Sequence, residues 1–305
     1  MKRWKIFWRA VRSYAFTITI VHILLGSVIA KWENTALNFN FFNLILALFG
    51  AVVIHAASNV ISDYYDYKAK VDREGTFGSS GVLVEKLLTP KEAYIFAIFL
   101  FLIGFFIALY FFLTLENKIV FLIIVLSGFV FGMFYTAGPF ALKYRALGDF
   151  AVFMAFGPIM TLGAYFVQAQ KFSWWPIIFS IPLGLVVDAV LHGNNIRDIE
   201  NDKKVNIKTI PIVIGEEKAK IMYYFLIGGA YLIQLLLIIF ASLPYYTLLS
   251  LFSLPLGIKL INMMKRKNEL PPEKFALIDM YTSQYHLTYG ILFVLGIFIS
   301  VLTHK

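Results

Sequence analysis

The stretch Val187–Gly215, VDAVLHGNNIRDIENDKKVNIKTIPIVIG, decides how this chain is read. It opens inside an apolar run, crosses the pair Asn194-Asn195 and ends with Asp198 and Asp202, four residues apart. A helix puts residues i and i+4 on one face. At about 100° per residue, Asp188, His192, Asn195, Asp198 and Asp202 fall within roughly 120° of arc, and Arg197 points the other way. One helical face thus carries a ladder of polar groups leading out of an apolar segment. Upstream, His55–Asp72 (HAASNVISDYYDYKAKVD) repeats the pattern. His55, Asn59, Asp63 and Asp66 share about 80° of arc, and Asp72 follows in a loop.

The rest of the composition says what surrounds these ladders. The chain is 60% hydrophobic and 15% charged, against about 45–50% and 25% for a soluble domain. Several runs exceed the roughly 20 apolar residues that cross a bilayer. The expected fold class is an all-α integral membrane protein, one polytopic domain over residues 1–305. A membrane β-barrel is excluded, because its strands alternate over about 10 residues. No cleavable signal peptide is read at the N-terminus. With no cysteine there is no disulfide and no thiolate metal site. The net charge of +9 fits basic loops on an anionic leaflet rather than nucleic-acid binding.

Residues 1–12, MKRWKIFWRAVR, read as a basic amphipathic lead-in on the membrane surface. Nine spans follow, near 13–31, 41–65, 90–114, 118–137, 147–168, 174–194, 217–240, 244–264 and 283–302. The long connections are 66–89, 195–216 and 265–282. Placing the N-terminus in the cytoplasm puts all but four of the 27 Lys and Arg inside. The exceptions are Lys31, Lys118, Lys171 and Lys305. That skew is what the positive-inside rule expects. The reading is a multi-pass protein of the cell membrane, with both acidic ladders opening on the cytoplasmic side and the C-terminus outside. The ladders stand four spans apart, which suggests two parallel four-span repeats with the ninth span added.

Clustered carboxylates at one face repel one another unless cations neutralise them. The hard-cation reading is Mg²⁺, which takes one or two carboxylates and completes its shell with water and phosphate oxygens. Two such clusters facing each other would hold two Mg²⁺ around one diphosphate. Arg73, Lys86, Lys203, Lys204 and Lys208 lie close in sequence to bind its remaining oxygens. The bland alternative is that acidic residues at helix ends are solvated caps. It explains a lone pair better than it explains two ladders, each with an inward Asn.

These residues resemble the UbiA superfamily of intramembrane prenyltransferases over nearly the whole chain. That family carries two Asp-rich motifs, after helices 2 and 6 of a nine-helix bundle. The second motif is intact as Asp198-Ile-Glu-Asn-Asp202. The first departs: Ser62 precedes Asp63 where Asn is common, and Asp72 stands six residues after Asp66. The spacing DYYDYKAKVD, the run NNIRDI and the segment YTAGPFALKYRALGD at 135–149 resemble the dihydroxynaphthoate (menaquinone) branch. The resemblance implies a Mg²⁺-dependent transfer of a polyprenyl group from a prenyl diphosphate to an aromatic acceptor, for lipoquinone synthesis. Membrane lipids would surround the bound tail.

On that reading Asp63, Asp66, Asp72, Asp198 and Asp202 are the metal ligands. Asn59 and Asn195 orient a phosphate oxygen or a metal-bound water; interhelical hydrogen bonding is their plain alternative. Lys143, Tyr144 and Arg145 sit in the third cytoplasmic loop, where Lys143 or Arg145 binds diphosphate or an acidic acceptor. Asp149 is expected to accept a proton and Tyr135 to line the acceptor pocket. His55, Asp188 and His192 lie deeper, and a carboxylate such as Asp188 within a span needs a partner. His22 reads as structural. Residues 75–89 and 207–216 read as segments covering the mouths. Two other readings are an acceptor of hydroxybenzoate or prenylglyceryl phosphate type, and an ion-coupled transporter. The transporter reading expects charges at mid-bilayer, whereas here most lie at one face.

Overall fold

A computed structural model describes residues 2–136 and 140–303. Residues 137–139, within the quoted segment 135–149 and at the end of the fourth expected span, lie outside the described residues, as does Lys305. Nine helices long and apolar enough to cross a membrane are present among the described residues. They are Ser13–Glu33, Phe41–Lys68, Pro90–Thr114, Lys118–Thr136, Gly148–Ala169, Trp175–Lys203, Glu216–Phe240, Tyr245–Lys265 and Pro272–Thr303, called spans 1 to 9. There is no strand among the described residues, only a single backbone bridge between Arg145 and Lys208. Lipid offers backbone groups no hydrogen-bond partner, so apolar runs of this length close their bonds internally as helices.

The breaks have local causes. Span 3 starts at a capping box: Thr89 accepts from the Glu92 N–H at 3.2 Å, and the Glu92 carboxylate accepts from the Thr89 N–H at 2.9 Å. Pro90 fills the first helical position, where no N–H is missed. Span 5 holds a π-turn over Ala155–Ile159 around Pro158, which lacks the N–H that a regular turn uses. Span 8 begins as a 3₁₀ helix, Tyr245–Ser253. The lead-in forms a separate helix, Arg3–Ala10, with Trp4 and Trp8 exposed.

Spans 2, 3 and 4 form one wall and spans 6 to 9 the other, with spans 1 and 5 packed between them. Glycines allow the closest crossings. A Cβ at Gly26 would lie 2.1 Å from the Thr161 carbonyl oxygen, where span 1 meets span 5. One at Gly290 would lie 2.4 Å from Val21, where span 9 meets span 1. Small residues at such crossings are how membrane helices gain van der Waals contact without a hydrophobic drive.

Two boundaries differ from expectation in a way that matters. Span 6 was expected to end at 194 but runs to Lys203, and span 2 runs to Lys68 rather than 65. The polar ladders are therefore continuous helix. Their side chains are held by partners from other segments, which a single-chain pattern does not display.

Candidate active site at the acidic mouth

The first ladder is built around Asp63 and Asp66, both buried at the end of span 2. Asp63 is saturated. Its Oδ1 accepts from the Arg12 guanidinium, and its Oδ2 from the Ser80 N–H at 3.0 Å and the Ser80 hydroxyl. Arg12 sits at φ 52°, in the left-handed region, between the N-terminal helix and span 1. The Asn59 amide donates to the Val11 carbonyl at 2.9 Å and fixes that bend. Arg9 binds the Ser80 carbonyl at 2.7 Å and Glu85 at 2.8 Å. Burial opposes the charge of Arg12, yet the neighbouring Asp63 overrides it and raises the guanidinium pKa above its ordinary value.

Asp66 accepts from Lys143 on one oxygen and from the Tyr144 hydroxyl on the other. Ser62 donates to it at 3.3 Å. Lys143 stays charged: burial works against it, but Asp66 pushes its pKa up. Burial and the charges of Asp66 and Asp63 push the Asp72 carboxyl up to about 7.

The second ladder closes on the first. Asp202 lies within electrostatic range of Asp198, Lys143 and Asp66, and the charge of Lys143 also reaches Asp72 and Asp198. Asp198 is gripped by Arg197, with contacts of 3.0 and 2.7 Å. This corrects the expectation that Arg197 points away. Its Cα is on the far face, but the long side chain returns to Asp198 and ties it to Asp279 of span 9 at 3.0 Å. The loop after span 2 rests on the same arginine. The Phe77 ring lies 5.7 Å from the guanidinium, and a Cβ at Gly78 would be 2.9 Å from it. Arg73 donates to the Asn201 carbonyl at 3.3 Å. Main-chain bonds Lys208 N–H to Tyr144 O (3.2 Å) and Ala146 N–H to Lys208 O (2.5 Å) fasten the loop after span 4 to the loop after span 6.

Below the mouth, Asp149 bonds His192 Nδ1 at 2.6 Å and accepts from the Asn195 amide at 3.3 Å. His192 Nε2 faces the Ala219 carbonyl at 3.0 Å. That carbonyl only accepts, so Nε2 is the donor there. Both oxygens of Asp149, the expected proton acceptor, are engaged here, one by His192 and one by Asn195. The ring of Tyr135 lies against Gly148, beside Asp149.

The structure thus gathers Asp66, Asp72, Asp198, Asp202, Lys143, Tyr144, Tyr135 and Asn195 around one mouth. Other residues stand apart. Asn59 is spent on Val11. Lys203, Lys204, Lys208, Lys86 and Arg145 are exposed, Lys203 pairing with Glu200. His55 bonds Thr19 at 2.7 Å, and His22 stacks on His286. Sequence reading missed Arg12, Ser80, Asp279 and the Asp149–His192 pair. Only the charge of Arg12 and Asp279 was visible, with nothing to single them out.

Among the described residues no three carboxylates or imidazoles converge on one point. Mg²⁺ takes only one or two carboxylates and leaves its other positions to water and phosphate, so this arrangement fits it. Among the described residues the Asp72 and Asp202 carboxylates accept no hydrogen bond, and Asp66 and Asp198 each face a cation in the place a Mg²⁺ would take. Asp63, Asp66 and Asp198 each have both oxygens engaged by neighbours, so a metal at any of them must displace a donor; Asp63 would have to give up three, from Arg12 and Ser80.

A model of the UbiA prenyltransferase family matches residues 20–300. UbiA prenyltransferase domain-containing protein 1 of Rattus norvegicus is 30% identical over 292 residues, covering 95% of this chain and 82% of that protein. The Homo sapiens protein of that name is 27% identical over 291 residues, 95% of this chain and 82% of its own. Among solved structures, a UbiA homolog from Archaeoglobus fulgidus bound to DMAPP and Mg²⁺ superposes with a TM-score of 0.60 at 17% identity, covering 94% of this chain and 98% of its own. The apo UbiA homolog from Aeropyrum pernix K1 gives 0.65 at 14% identity, covering 95% and 98%. These structures share the fold. The named relatives lend no support to the expected naphthoate branch.

Proposed function

The chain belongs to the UbiA prenyltransferase family, and from that premise we propose that it transfers a polyprenyl group from a prenyl diphosphate to an aromatic acceptor within the membrane. One observation carries the reading: the two acidic ladders, with Asp66 and Asp198 132 residues apart in sequence, share a single mouth spanned by the charge of Lys143. The family match makes the protein a multi-pass membrane enzyme. Nothing in it supports the transporter alternative.

Two Mg²⁺ ions are the proposed cofactor, held through Asp66 and Asp72 on one side and Asp198 and Asp202 on the other. When bound they neutralise diphosphate and stabilise its departure. Lys143, with the Tyr144 hydroxyl beside it, stands to take a phosphate oxygen as the C–O bond to the prenyl carbon ionises. Arg12 adds charge at the rim. Such fixed donors are worth most where water is excluded. Loop 73–81, seated on Arg197, keeps water from the allylic cation. Below, partly exposed rings of Phe16 and Phe156, each packed on His55, give the tail and the acceptor an apolar wall. The acceptor's ring carbon then attacks the prenyl carbon, and its proton passes to the released diphosphate. The mouth is proposed to face the cytoplasm.

Purified protein incubated with labelled geranylgeranyl diphosphate, Mg²⁺ and a panel of aromatic acceptors tests this directly. A prenylated product that disappears with EDTA is expected. Asp66→Ala and Asp198→Ala should each lower turnover by about 10²-fold or more while the protein remains folded. Full turnover by either variant refutes the role given to that residue, and no product with any acceptor refutes the function.

A further inference from the structure

Asp188 is left over when the mouth is accounted for. It lies on the ladder face of span 6, one turn below His192, and is 6% exposed. Its Oδ1 is buried and meets no hydrogen-bond donor or acceptor, and no hydrogen bond to its other oxygen is found among the described residues. Asp149, whose charge reaches it, is itself occupied by His192 and Asn195. A carboxyl group within a membrane span without a partner is costly. The hydrogen-bonding capacity at this position is therefore unused by the protein.

Ten residues separate Asp188 from Asp198, which is about 15 Å of helix rise. The reacting prenyl carbon is bonded to the diphosphate, so it sits roughly one turn, about 5 Å, inside the metal ligands. The acceptor carbon meets it there, so the remote end of an aromatic acceptor lying along span 6 extends inward, toward Asp188. We propose that Asp188 selects the acceptor: its carboxyl group holds a hydroxyl or carbonyl on the end of the acceptor remote from the reacting carbon. This rests on the aromatic-acceptor reading above and adds the group that recognises it.

The test uses the full-length protein in detergent with a dihydroxynaphthoate acceptor and its mono-O-methyl ethers. Binding of labelled geranylgeranyl diphosphate is measured alongside. Asp188→Leu should raise the acceptor KM tenfold or more, as expected for a lost hydrogen bond to a carboxyl group. Diphosphate binding should stay at wild-type strength, and the preference for free hydroxyl over methyl ether should collapse. Asp188→Asn, which keeps shape and one acceptor, should fall between the two. Unchanged acceptor KM and unchanged preference in the Leu variant overturn the proposal. Loss of diphosphate binding in both variants assigns Asp188 to folding and also overturns it. A wild type that prenylates no acceptor fails before any substitution, which marks failure of the function itself.

Discussion

At the scale of single residues, the mouth is held together by cations that stand in front of its acids. Arg12 holds Asp63, Lys143 holds Asp66 and Arg197 holds Asp198. Breaking a buried pair by removing one partner leaves an uncompensated charge, at a cost of about 3–5 kcal/mol. Arg12→Ala should therefore lower the unfolding temperature in detergent clearly, and Asp63→Asn in that background should recover part of the loss. Asp72 behaves differently, because among the described residues no cation is bonded to it. Its raised pKa means the metal-free fold is favoured by its protonated form, a contribution present at low pH and lost as pH rises through about 7. Mg²⁺ needs the carboxylate, so affinity should climb with pH up to about 7 and level off above it. Calorimetric Mg²⁺ titrations across that range should show this slope, and Asp72→Asn should flatten it.

Elements were legible in proportion to how local their causes are. The nine apolar runs, the two ladders and their shared side could all be read from periodicity and charge skew. What could not be read comes from contacts across the fold. Arg12 meets Asp63 from 51 residues away and His192 meets Asp149 from 43. No spacing rule reaches that far. The reach of span 6 to Lys203 was misjudged because polar residues look like loop until their partners are seen. The loop after span 2 has one position fixed by geometry. Gly78 sits at φ +92°, which L side chains rarely adopt, with Arg197 where a Cβ would go. Gly78→Ala should cost about 1–3 kcal/mol locally and lift the loop from Arg197. A several-fold higher KM for prenyl diphosphate and faster proteolysis within residues 73–89 would register it. Wild-type values for both would show that the loop does not cover the site.

For the whole molecule, the arrangement turns on which side the mouth faces. The chain has no cysteine, so single cysteines report topology without background. Lys204→Cys and Lys267→Cys should react with a membrane-impermeant thiol reagent from the cytoplasmic side only. Lys171→Cys should react only from the other side. The reverse pattern would invert the proposed orientation and leave the fold intact. The joint between the loops that follow spans 4 and 6 has its own consequence. It consists of main-chain atoms at Tyr144, Ala146 and Lys208, so its strength does not depend on which side chain stands at Lys208. That exposed position can exchange basic, neutral or acidic groups, retuning how this rim greets an anionic leaflet, while the clasp beneath keeps its shape.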